Sequence, residues 1–192
     1  KVLEQYPDGT LFVDLFGGSG LLSHITKSLK PHSTVIYNDF DNYRFRMKHI
    51  PQTNQLLADI REMVGNSVPR HKIIKGELRE RIFSRIEQEE NSTGYVDFIT
   101  LSSSLLFSMK YKLSVQDMRK EALYNNIRKT GYPECTDYLE GLEIVSCDYK
   151  EVFNRYKDIP GVVFLVDPPY LSTDVGTYNM YWNMADYLDV LN

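Results

Sequence analysis

The sequence predicts an α/β fold, a mostly parallel sheet carrying an inserted helical subdomain, on three observations. Short β-branched apolar runs alternate with helical periodicity near both ends of the 192-residue chain. Each of four such runs ends in an acid: Asp14, Asp39, Asp148 and Asp167. About one hundred residues, 40–141, separate the second run from the third, too many for one crossover, so they form an insertion.

The elements follow in order. "TLFVDLF", 10–16, is a buried strand entering a glycine loop, and "LLSHITKSL" is a helix closed by Pro31. "STVIYND", 33–39, is the second strand. "DNYRFRMKHI" is helical up to Pro51, and "QTNQLLADIREMV" forms another helix before the breakers between Gly65 and Pro69. "GELRERIFSRIEQEE" places Leu78, Ile82, Phe83 and Ile86 at helical spacing, with charges on its other faces. Residues 95–111 mix both periodicities and are assigned to a buried helix. A short helix around "SVQDMRKEALYNNIRK" follows, with Ser114 as its cap. "LEIVSCD", 142–148, and "GVVFLVD", 161–167, are the third and fourth strands, with "KEVFNRY" a short helix between them. The expected division is a core of 1–60 and 142–192 around a helical subdomain, 61–141.

Composition narrows the classes. At 42% hydrophobic the chain can bury a core without disulfides or metal. No leader and no run of about 20 apolar residues is visible, so the expectation is a cytoplasmic protein without a membrane partner. Cys135 and Cys147 lack C-x-x-C spacing and a His pair, so neither a redox nor a metal site is expected. The net charge of -4 hides an uneven distribution. Residues 61–130 carry 13 Lys+Arg against 9 Asp+Glu, whereas 131–192 carry 3 against 11. Charge alone is better explained by a solvated helical face; it supports a nucleic-acid partner only beside other signals.

Ligands of an open parallel sheet bind outside the carboxyl ends of its strands, where the connections part. One acid at a strand end is ordinarily a turn or cap residue; four suggest a polar site along one edge. After the first strand, Gly17, Gly18 and Gly20 let backbone N–H groups approach a ligand closely. Their G-G-x-G spacing departs from the dinucleotide fingerprint, which disfavours NAD and flavin. Asp39, at the end of the second strand, can accept both hydroxyls of a ribose. Together they indicate a nucleoside-containing cofactor. After the fourth strand, Pro168 and Pro169 lack N–H donors and stiffen the segment, leaving its carbonyls free to accept. Asp167 and the Pro168 carbonyl can hold a planar exocyclic amine, and Tyr170 offers a face on which a base stacks, worth about 1–3 kcal/mol.

These residues, "FVDLFGGSG", "YNDFD", "SCDYKEVF", "DPPY", "GTYNMYW" and "MADYLDVL", resemble the Dam-type DNA adenine-N6 methyltransferases in which the cofactor loop precedes the catalytic tetrapeptide. The resemblance is good over 10–60 and 142–191 and poor between. It implies a Rossmann-like methyltransferase sheet and S-adenosylmethionine lined by Asp14, Phe16, Gly17, Gly18 and Gly20. Asp39 would take the ribose, Asp148 and Tyr149 the adenine of the cofactor, and Asp167, Pro168, Pro169 and Tyr170 the target base in DNA. The insertion falls where such enzymes carry target-recognition helices. The Dam-type pattern also has a glycine-lysine segment ahead of the loop and further strands after "DPPY", so a fragment or a reduced relative is expected. The expected reaction is methylation of adenine N6 in DNA. The alternatives are a non-catalytic module that binds nucleic acid or a partner, and methylation of RNA adenine or cytosine N4.

Overall fold

In the computed structural model a 3-10 turn at Leu3–Gln5 precedes β1 (Leu11–Asp14), α1 (Leu21–Leu29), β2 (Thr34–Asn38), α2 (Tyr43–Lys48) and α3 (Ile50–Val64). β3 (Ile73–Ile74), α4 (Gly76–Thr93), α5 (Phe98–Leu105), α6 (Val115–Met118) and β4 (Leu123–Tyr124) follow. β5 (Glu143–Val145), α7 (Tyr149–Tyr156) and β6 (Val163–Leu165) complete the order. The structure describes residues 2–107, 110–135 and 137–168, with Ala185 and Leu188. The chain divides into two units, residues 1–47 with 135–192, and residues 48–134.

The first unit is built on a parallel sheet in the order β5-β2-β1-β6. The two central strands read as unbroken apolar runs because both of their faces are covered. Phe12, Val13, Val35 and Tyr37 are fully buried there. Alternation sends Val13, Leu15 and Ile36 to one face, where Tyr149 and Val152 of α7 pack on them. Phe12, Val35 and Leu165 face the other side, against Leu22 of α1, Leu3 and Tyr6. The α/β class and the parallel arrangement expected from the sequence are therefore present.

The second unit is helical around one core. Leu56, Leu57 and Ile60 of α3 meet Ile82, Phe83 and Ile86 of α4, and Leu101 and Leu105 of α5 join them. Pro51 stands in the first turn of α3, where its missing N–H costs nothing, so it opens that helix as well as closing the one before. Because α3 lends its apolar stripe to this core, the unit begins at Lys48, ahead of the boundary at residue 61 expected from the sequence.

Two further expectations are corrected. Among the described residues of 95–111 the helix runs from Phe98 to Leu105, with Asp97 capping it by accepting from the Thr100 N–H. The pattern from Ser114 to Lys129 is a single turn, Val115–Met118, with Ser114 as cap; the chain then extends into β4. β4 pairs antiparallel with β3, Ile73 opposite Tyr124 and Ile74 opposite Leu123. Burial of Ile74 and Leu123 in the helical core outweighs local helix propensity.

Candidate active site at the strand ends

From β1 the chain steps to β2 and on to β5, then returns to the other side of β1 for β6. The connections therefore part between β1 and β6, and a crevice outside their carboxyl ends is where an open sheet accepts ligands. Asp14 is the last residue of β1 and pairs with Leu165 across this switch; Asp167 lies two residues beyond.

Asp14 is buried, 1% exposed, and its carboxylate accepts a 2.7 Å hydrogen bond from the Ser23 hydroxyl in α1. Desolvation pushes its pKa up to about 6; the Ser23 bond opposes that shift, and the negative charge of Asp167 adds to it. Asp167 is exposed and Pro168 half-buried. A sunken carboxylate with a neutral partner and a second carboxylate nearby is a setting that attracts a cation.

The glycine loop is shaped by β2. Tyr37 lies under it, and its one hydroxyl proton is shared between the Gly18 carbonyl, at 2.8 Å, and Asp39, at 3.1 Å. A Cβ on Gly17 would come within 2.3 Å of the Tyr37 ring and 2.7 Å of the Asn38 carbonyl oxygen. Gly20 takes φ 75° at the start of α1, where a Cβ would also meet Leu139 at 2.8 Å. Burial and the adjacent Asp39 charge hold the Tyr37 hydroxyl well above its usual pKa.

Asp39 is 3% exposed and already engaged. Besides the Tyr37 hydroxyl it accepts from the N–H groups of Tyr43 and Arg44 at the start of α2. An ionised carboxylate has about four acceptor positions, so about one is left. Asp148 is the N-cap of α7, accepting from the Lys150 N–H at 2.8 Å. Tyr149 is buried beneath it, with its ring 5.0 Å from that of Phe16. The structure thus brings Asp14, Phe16, the glycines, Asp39, Asp148 and Tyr149 to one edge of the sheet, with Asp167 and Pro168 at its β6 end. Pro169 and Tyr170 lie outside the described residues.

Three supporting residues escaped sequence reasoning. Tyr37 and Ser23 are described above. Asn38 is the third: its amide donates to the carbonyls of Leu15 and Cys147 and accepts from the Cys147 N–H, tying three strand ends together. Their only sequence signal is position, a polar residue within or just after an apolar run. Among the described residues no group of three or more His, Cys, Asp or Glu side chains is placed to hold a metal ion, and no helix is long and apolar enough to cross a membrane.

Residues 1–189 match the family described as D12 class N6 adenine-specific DNA methyltransferase. A Haemophilus influenzae protein named "Putative methyltransferase" is 38% identical over 194 residues. That alignment covers 100% of this chain and 64% of the relative, so the chain spans less than two thirds of the relative's length. No solved structure matches.

Proposed function

Since the chain belongs to the D12 class N6 adenine-specific DNA methyltransferase family, we propose that it transfers a methyl group from S-adenosylmethionine to adenine N6 in DNA. The observation that carries the reading is the pair of strand-end acids, buried Asp14 and exposed Asp167, on either side of the switch between β1 and β6. The residues present fit the cofactor. Asp14 is buried, has no cation beside it among the described residues, and would favour the positive charge of the methionine moiety; the glycine loop supplies close backbone approach. Asp39 fits a ribose hydroxyl through its remaining acceptor position, with its other bonds kept. Asp148 and Tyr149, whose ring lies 5.0 Å from that of Phe16, would hold the cofactor's adenine end.

S-adenosylmethionine, when bound, supplies a methyl group on a sulfonium. The chain must do the rest. The target base leaves the duplex at a cost of a few kcal/mol and reaches the β6 end of the crevice. There the Asp167 carboxylate and the Pro168 carbonyl accept the two N–H bonds of the exocyclic amine, fixing its plane and turning the nitrogen lone pair towards the donor. As the nitrogen gains positive charge, the Asp167 carboxylate stabilises it, and the surplus proton leaves along the same hydrogen bond. Tyr170 stacks on the base. No covalent intermediate with the chain is required.

The test is incubation of the protein with radiolabelled S-adenosylmethionine and duplex DNA, then nucleoside analysis. Label in N6-methyl-2′-deoxyadenosine is expected. Label in N4-methylcytosine, or transfer to RNA alone, would change the substrate. Binding of both ligands without transfer would leave a non-catalytic module.

A further inference from the structure

The two halves of the candidate cofactor site come from different strands. The glycine loop follows β1, whereas Asp39 follows β2. Asp39 is fixed by the start of α2, since its carboxylate accepts from the N–H groups of Tyr43 and Arg44. The loop is braced at its ends. The Leu15 N–H donates to the Leu165 carbonyl, the Gly20 N–H to the Gly17 carbonyl, and the His24 N–H to the Gly20 carbonyl. None of these bonds reaches β2.

Tyr37 bridges the gap. It precedes Asp39 by two residues, so the strand period sends both side chains to the same side, and its full burial fixes the ring within the sheet. The loop rests on that ring: a Cβ would lie 2.3 Å from it at Gly17 and 3.5 Å from it at Gly20. The hydroxyl proton lies between the Gly18 carbonyl and the Asp39 carboxylate, at oxygen–oxygen distances of 2.8 and 3.1 Å. One phenol thus meets three glycines of the loop and the acid beyond it.

The shared proton also leaves room for a ligand. Asp39 has about one acceptor position clear of Tyr37 and the two N–H groups. A ribose carries two hydroxyls, and the second gains its position by displacing Tyr37, whose proton then goes wholly to Gly18. No donor is stranded by the exchange, so its cost is small.

We infer, on the S-adenosylmethionine reading above, that Tyr37 is a positioning residue that couples the ribose end of the cofactor to its methionine end, by fastening the glycine loop to the acid that holds the ribose. A loop set in advance loses less freedom when the ligand arrives. The consequence is selective. A ligand that engages both ends depends on the fastening; one that engages only the ribose end does not, because Asp39 keeps its bonds to Tyr43 and Arg44 without it.

Tyr37→Phe keeps the ring, and with it the fit against Gly17, but removes the link. Calorimetry on the parent and the variant compares S-adenosylhomocysteine, which has both ends, with 5′-methylthioadenosine, which has the ribose and lacks the amino acid. The variant should bind S-adenosylhomocysteine about three- to tenfold more weakly and 5′-methylthioadenosine within about twofold of the parent, as for one hydrogen bond felt at one end only. Both proteins should unfold cooperatively in urea. Loss of that cooperativity in the variant, or equal weakening of the two ligands, would make Tyr37 a structural residue, and unchanged affinity for both would remove the link. Each of these results overturns the coupling and leaves the methyltransferase reading intact. A parent that binds neither ligand overturns both. Selective loss in the variant, with no transfer of label to DNA by the parent, would uphold the coupling and reject only the reaction.

Discussion

The ring of Tyr37 occupies the space that a side chain on Gly17 would need, since a Cβ there would lie 2.3 Å from the ring. Gly17→Ala should therefore displace either the loop or the ring, at about 1–3 kcal/mol of stability, the usual cost of overpacking. Urea unfolding measures that loss, and calorimetry with S-adenosylmethionine should show weaker binding. Because the Asn38 carbonyl stands 2.7 Å from the same Cβ, trimming Tyr37 to Leu in the Gly17→Ala background should restore only part of the stability. Full restoration would mean that the backbone is not a barrier.

Asp14 sets a pH dependence whose sign follows from its raised pKa. The folded protein keeps the Asp14 proton up to about pH 6, whereas the unfolded chain releases it near 3.8. Its favourable contribution is thus complete below the lower value and is lost as pH rises through about 6. At pH 8 the parent bears the cost of a buried carboxylate, roughly 3 kcal/mol at 1.36 kcal/mol per pKa unit. Asp14→Asn should accordingly be the more stable protein at pH 8, with the gap narrowing towards pH 4. Denaturant melts at several pH values decide it; a gap independent of pH would remove Asp14 as its source.

Asp39→Ala combines two losses. Removing the acceptor for the Tyr43 and Arg44 N–H groups should cost about 0.5–2 kcal/mol of stability, as for other helix caps. Removing a charged acceptor for the ribose should weaken S-adenosylmethionine by about 1.5–3 kcal/mol. A melting shift with unchanged cofactor affinity would reduce Asp39 to a cap.

The target-base end is tested by Asp167→Ala, which should abolish methylation yet leave stability within about 0.5 kcal/mol, because the residue is exposed. Tyr170→Trp should keep some methylation and Tyr170→Ala very little, if stacking is the role of that ring. Emission of 2-aminopurine at the target position should rise on binding of the parent and less with Tyr170→Ala. Methylation by Asp167→Ala at the parent rate would dismiss the catalytic reading.

Much of the sheet was legible because each parallel strand is a local apolar run, stopped by an acid where the backbone leaves the core. The β3–β4 ribbon was hidden: two residues per strand carry no periodicity, and Ile74 and Leu123 announce burial but not pairing. The unit boundary was displaced because the stripe of α3 does not say which core it enters. At the site, acids and glycines stood out by type, whereas Tyr37, Ser23 and Asn38 matter through partners distant in the chain. Asp39 and Asp148 show a further limit. A strand-end acid followed by a helix is read equally well as a ligand or as a cap, and both side chains do cap a helix.

Asn38 has a consequence for the chemical ageing of the protein. Two carbonyls and one N–H converge on it, a set that only a carboxamide satisfies, with its donors and its acceptor at opposite atoms. Deamidation to aspartate would preserve its shape while reversing its polarity towards Leu15 and Cys147, and would add a negative charge next to Asp39. The strand ends would then repel the side chain that now joins them. Slow hydrolysis of that one amide during storage would loosen the sheet edge from within, with no bond in the backbone cut.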